Sequence, residues 1–149
     1  MITDQIKLSG NLDIVVRDSN GEVKEKRQEK NLVVTAGLGF IASRMKDTTD
    51  GAMSHMAVGS GTTAAAAGQT DLVSILGSRE ALDSTSVSGA VVTYVSSFEA
   101  GEGTGAFTEA GIFNASSSGT MLCRTVFSAV NKAADDTMTI TWTITLSAS

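Results

Sequence analysis

The stretch TMTITWTITLS, residues 137–147, limits the fold more than any other part of the chain, because threonine alternates in it with large apolar side chains. Strict alternation is typical of a β-strand with one buried face, since successive side chains of a strand point to opposite sides. A helix would scatter the same residues around its circumference. The side chains predicted to face the core are Met138, Ile140, Trp142, Ile144 and Leu146.

Other segments extend this pattern to the whole chain. Short strands are predicted within MSHMAVGSG, SGAVVTYVSSF, AFTEAGIF and TMLCRTVF, and turns rich in Gly, Ser and Asp separate them. Regularly spaced short strands with such turns indicate a sandwich. The length of 149 residues suits one domain. We therefore expect residues 1–149 to form a single, mainly β domain, an antiparallel β-sandwich (jelly-roll-like) with one short amphipathic helix.

The first third of the chain predicts a hairpin followed by that helix. Asn20-Gly21 favours a type I′ turn with positive φ at both residues. The arm from residue 22 to residue 30 is so polar that it is expected at a sheet edge, and a helix is the alternative for it. Thr35 is the expected N-cap of the next helix. Its predicted apolar stripe is Leu38, Ile41, Ala42 and Met45.

Two more predictions concern the glycines of this helix and the segment DLVSIL. Gly37 and Gly39 weaken the helix, so their presence suggests close packing against a sheet. Thr70 is a candidate cap for a brief helix in DLVSIL.

Composition argues against several classes of function. The net charge of −5 opposes nucleic-acid binding, which needs a basic surface. No stretch approaches the ~20 apolar residues of a membrane span, and the N-terminus lacks the pattern of a signal peptide. A single cysteine excludes an internal disulfide. We expect synthesis in a cytosol, with no membrane, nucleic-acid or small-molecule partner.

Candidate chemical motifs lack the context that they need. Gly101-x-Gly103-x-x-Ala106 has dinucleotide-binding spacing, but no helical stripe follows it, so a turn between strands is expected. His55 is the only histidine, and Cys123 lies in an apolar strand where a core position is favoured. Asp47 and Asp50 lack the spacing of a calcium loop. We expect no catalytic residue, cofactor or metal, and therefore no enzyme.

Residues 56–72, 107–127 and 138–147, together with the AGLGFIASRM segment, resemble small virion structural proteins of tailed bacteriophages. The resemblance implies a head-decoration (cement) protein that bridges capsid subunits, with a tail collar, baseplate or fibre-attachment protein as the alternative. It also implies location in the virion, a partner such as the major capsid protein or another virion protein, and a homo-oligomer, with a trimer favoured.

The expected interface is an N-terminal arm, residues 1–8, in which Ile2, Ile6 and Leu8 are the apolar positions. Such an arm could pair with the sheet edge of a neighbouring chain, or it could continue the sheet of its own chain. A further alternative is a carbohydrate-binding module that uses Trp142 or Tyr94 as a stacking platform.

Overall fold

Two antiparallel sheets face each other in the computed structural model, which describes residues 4–46 and 50–148. In chain order the elements are β1 (Ile6–Arg17), β2 (Val23–Lys30), β3 (Leu32–Val33), α1 (Thr35–Arg44), β4 (His55–Gly59), β5 (Glu80–Ala81), β6 (Ser84–Ser88), β7 (Val91–Phe98), β8 (Gly105–Phe113), β9 (Met121–Lys132) and β10 (Thr137–Ala148). We call β2-β1-β10-β7-β6 sheet A and β3-β9-β8-β4-β5 sheet B. The predicted β-sandwich with one short helix is confirmed.

The centre of sheet A is formed by β10, which pairs with β1 on one side and β7 on the other. Its predicted alternation is confirmed, because Met138, Ile140 and Trp142 are at most 1% exposed. Trp142 lies opposite Leu12 of β1 and Tyr94 of β7. These inward side chains meet those of sheet B and form the main core.

The first hairpin differs from its prediction in the turn. Residues 18–22 form a five-residue loop in which Gly21 has φ +81° and Asn20 does not have positive φ. The Asp18 carboxylate accepts hydrogen bonds from the backbone N–H groups of Asn20 and Glu22. The type I′ prediction is therefore wrong, because a side-chain acceptor holds a longer loop. The predicted edge position of the polar arm is confirmed, since β2 ends sheet A.

Helix α1 packs through only part of its predicted apolar stripe, because Ile41 contacts the core whereas Leu38 is 48% exposed. Its N-cap is Val34, without a side-chain capping bond, so the Thr35 cap is wrong by one residue. Met45 is 84% exposed, whereas Gly37 is buried and Phe40 and Ile41 pack against the core. The close packing against a sheet that was expected at the helix glycines is found at Gly37, where a Cβ would overlap the Leu122 carbonyl, and not at Gly39.

The region after β4 also departs from expectation. DLVSIL is not helical, and Ile75 instead forms an isolated bridge with Gly59. The Gly-rich turn behaves as predicted, because Gly101, Gly103 and Gly105 all have positive φ between β7 and β8.

Trp142 has a polar partner inside the core. Its indole N–H donates to Asn31 Oδ1 at 2.7 Å, and Gly10 leaves room for Asn31, because a Cβ at Gly10 would overlap the Asn31 amide. We expect Trp142→Phe to lower the free energy of unfolding by about 2 kcal/mol, because the hydrogen bond between the fully buried indole and Asn31 Oδ1 is lost. Urea denaturation of W142F, N31A and the double variant measures the coupling. Additive effects of the two substitutions would contradict this prediction.

Candidate assembly surface

One end of sheet A leaves part of its inner face uncovered. Ile6 continues the inward series of β1, yet it is 72% exposed. Val87 pairs with Val92 in the inward series of β7, yet it is 71% exposed. Leu8 lies directly across from Leu146 and both are partly buried. Inward-facing apolar side chains that lack cover make this end of the sheet a candidate interaction surface. We call Ile6, Leu8, Val87 and Leu146 the overhang.

An apolar groove of about 330 Å³ continues from the overhang into the sandwich. One wall is the inner face of sheet A, and the other is formed by α1, β9 and the segment before β4. The groove is lined by Phe40, Ile41, Arg44, Ala52, Met53, Thr85, Val87, Val92, Tyr94, Leu122, Ile144 and Leu146. Among the described lining residues, Arg44 is the only one with a charged side chain.

Tyr94 contributes a neutral phenol to this groove. Burial raises the pKa of Tyr94 to about 12, so the hydroxyl keeps its proton at physiological pH. The groove is therefore suited to apolar side chains and does not present an acid or base for chemistry.

The opposite edge of sheet A is closed by charged side chains. Arg27 of β2 reaches across to β9, where it donates to the Ser128 carbonyl at 3.0 Å and the Ala129 carbonyl at 3.2 Å. Glu25 accepts from the same guanidinium at 2.6 Å. Lys24 pairs with Asp136 at 2.5 Å near the start of β10. Arg27 thus bridges the two sheets at the β2 edge.

A buried carboxylate holds the long loop 60–79 over the outer face of sheet B. Glu109 Oε2 accepts from the backbone N–H groups of Gly61 at 2.7 Å and Ser74 at 2.8 Å. Its Oε1 accepts from Val73 N–H at 2.9 Å and from Arg124 Nε at 3.0 Å. Both charged side chains are fully buried, with 0% exposure. Sequence reasoning missed this pair, and its geometry serves to fix a loop.

Arg79 fastens the far end of the same loop. Its guanidinium lies 3.6 Å from the centre of the Phe113 ring and donates to the carbonyls of Ala115 and Ser118. Cation–π stacking and carbonyl bonds together hold the loop against the β8–β9 turn. The loop 60–79 is consequently anchored to sheet B near both of its ends.

The candidate chemical residues lie apart from one another. His55 begins β4, half-buried, with its Nδ1 2.7 Å from Ser54 Oγ. Cys123 is buried as predicted, and burial raises the pKa of its thiol well above the usual value. Asp47 lies outside the described residues. Within residues 4–46 and 50–148, no group of three or more metal-binding side chains occurs.

The structure also bears on the expected sugar-stacking aromatic residues and on membrane spans. Trp142 is 0% exposed and Tyr94 is 9% exposed, so neither offers a ring face for stacking a sugar. In the part of the chain that the structure describes, no helix is long and apolar enough to cross a bilayer.

Of the three predicted interface residues, Ile6 and Leu8 belong to the overhang, and Ile2 lies outside the described residues. From Ile6 onward the expected arm is a strand of its own sheet, paired with β10. Val87 and the groove were missed, because the Ser-rich β6 carries no apolar alternation. No protein-family model, curated protein or solved structure matches this chain.

Proposed function

We propose that the chain is a non-enzymatic structural protein of a tailed-bacteriophage virion, a decoration (cement) protein that bridges capsid subunits. The observation that carries this proposal is the overhang with its groove, an apolar surface at one end of a sandwich whose β2 edge is bridged to sheet B by Arg27. The partner is the major capsid protein or another virion protein, and the chain acts as a homo-oligomer.

Rigidity supports this role. A bridging protein stabilises an assembled shell because it binds the assembled state and not the separated subunits. Its surface must therefore hold its shape between partners. The loop fixed by Glu109 and Arg79 and the edge bridged by Arg27 give the sandwich that property.

The apolar surface supports it as well. Burying Val87 and Ile6, which are both more than 70% exposed, against a partner contributes about 25 cal/mol per Å² of apolar area removed from water. The segments that resemble phage virion proteins include most of β4, β8 and β10, part of β9 and helix α1, and residues of α1, β9 and β10 line the groove.

Electron microscopy of the phage particles whose genome encodes this chain tests the proposal. Particles from the wild-type genome should show density over the capsid that is absent from a deletion mutant. Mass spectrometry should give a copy number comparable to that of the capsid protein. Density confined to the tail would overturn the capsid role in favour of the collar, baseplate or fibre alternative. Absence from purified particles would overturn the virion role.

A further inference from the structure

The two edges of sheet A differ in how they are protected against pairing with another strand. Six of the eight residues of β2 are charged, and charged side chains are a common device against edge-to-edge association. All five residues of β6, STSVS, are exposed, and none is charged. Among the described strands, β6 pairs only with β7, so the backbone on its other side faces outward.

We infer that β6 pairs antiparallel with β6 of a second copy across a two-fold axis at Ser86. Two copies of sheet A then form one continuous sheet. Adding a strand to an exposed edge obtains its affinity from main-chain hydrogen bonds and its specificity from alternate side chains. Because the interface is the same strand on both sides, it is closed and self-complementary.

The sequence of β6 suits this register. With Ser86 opposite its own counterpart, Thr85 of one copy faces Val87 of the other on the inner face. Ser84 faces Ser88 of the other copy on the outer face. Each Val87, now 71% exposed, gains the methyl group of Thr85 from the other copy as a neighbour at the mouth of the groove. The overhang of one copy becomes continuous with that of the other.

Charge favours a second copy as the occupant. Each chain carries a net charge of −5, but β6 contains no charged residue. Two β6 strands can therefore pair without bringing like charges together. Asp83, which precedes β6, has its carboxylate hydrogen-bonded to Ser97 of its own chain at 2.5 Å. The same two-fold arrangement at β2 would bring two charged strands together.

This inference does not depend on the proposed virion role. The β6 contact alone gives a dimer, and combined with a three-fold contact through another surface it gives a hexamer. The tests below therefore detect the β6–β6 contact directly, in the purified chain of residues 1–149.

Disulfide cross-linking tests the register. Opposed residues of an antiparallel pair have Cα atoms about 4.5–5.5 Å apart, which lies within the Cα separation that a disulfide spans. Cys123 is buried, so an engineered thiol on β6 is the reactive one. Under mild oxidation we expect Ser86→Cys to give a covalent dimer on a non-reducing gel.

Ser84→Cys is the matched control, because its counterpart lies four residues along the strand, about 14 Å away. We expect S84C to stay monomeric on the gel when alone and to cross-link when mixed with S88C. No dimer from S86C, or equal yields from S86C and S84C alone, would overturn the inference. Circular dichroism checks that the variants, all at exposed positions, remain folded.

Sedimentation of the unmodified chain gives a second measurement. We expect reversible association, weakened at least tenfold by Val87→Lys, since the new charge enters the shared apolar face. Val23→Lys on the opposite edge should leave association unchanged. A wild-type chain that remains monomeric up to about 1 mM would overturn the inference, because no useful affinity would remain. Equal effects of V87K and V23K would overturn it as well.

Discussion

Replacing Glu109 with Gln should lower the free energy of unfolding by about 3–5 kcal/mol, the usual effect of removing one partner from a buried ion pair. The carboxylate of Glu109 accepts hydrogen bonds from Gly61, Val73 and Ser74 while it compensates the charge of Arg124. An amide offers one acceptor oxygen, turns an NH₂ group toward existing donors, and leaves Arg124 buried without a counter-charge. Urea denaturation monitored by Trp142 fluorescence measures the loss.

Glu22→Gln is the control for this substitution, because Glu22 lies in the exposed first turn. Its effect should fall within about 0.5 kcal/mol, as for most surface positions. An E109Q effect below about 1 kcal/mol would show that the loop 60–79 does not depend on the carboxylate.

Acid should remove the contribution of Glu109. Burial by itself raises the pKa of Glu109, but the backbone N–H groups of Val73, Ser74 and Gly61 and the side chain of Arg124 outweigh it, so the pKa lies below its usual value. A carboxyl with a depressed pKa in the folded state stabilises fully above its unfolded pKa, about 4.3. The contribution is lost as the pH falls through the folded value. The stability difference between wild type and E109Q should therefore be constant from pH 6 to 8 and shrink below about pH 4.

The burial of Glu109 illustrates what a local pattern cannot predict. The alternation of residues in β10 predicted which of its side chains are buried, because only one face of this strand is covered by the rest of the protein. In β8, residues Glu109 to Phe113 are all buried. Their second face is covered by a loop about 40 residues earlier in the chain, and no periodicity within FTEAGIF encodes that cover.

The candidate surface was predictable only in part. Ile2, Ile6 and Leu8 stand out in the sequence as apolar residues at even positions, with polar residues between Ile2 and Ile6 and between Ile6 and Leu8. Val87 does not, because β6 has serine at alternate positions and resembles a loop. Val87 faces inward because it pairs with Val92 of β7. It is exposed because the opposite sheet does not extend far enough to cover it. Both are properties of tertiary structure.

Gly37→Ala should be nearly as disruptive as the loss of Glu109. A Cβ at Gly37 would overlap the carbonyl group of Leu122 in β9, and this obstacle is backbone that cannot move like a side chain. The same carbonyl accepts from Val34 N–H at 3.2 Å at the start of α1. We expect a loss of about 3 kcal/mol, at the upper end for overpacking in a well-packed core. Thermal and urea denaturation measure it.

Gly39→Ala, two residues along the same helix, separates this steric effect from helix propensity. A Cβ at Gly39 meets no atom within 4 Å, so the substitution should stabilise by about 0.5–1 kcal/mol through the better helix propensity of alanine. Opposite signs at the two glycines indicate that α1 is held against β9 by close backbone approach at Gly37. Equal effects would contradict this. Because Phe40 and Ile41 of α1 form one wall of the groove, displacing the helix in G37A should also change the apolar surface that the groove presents.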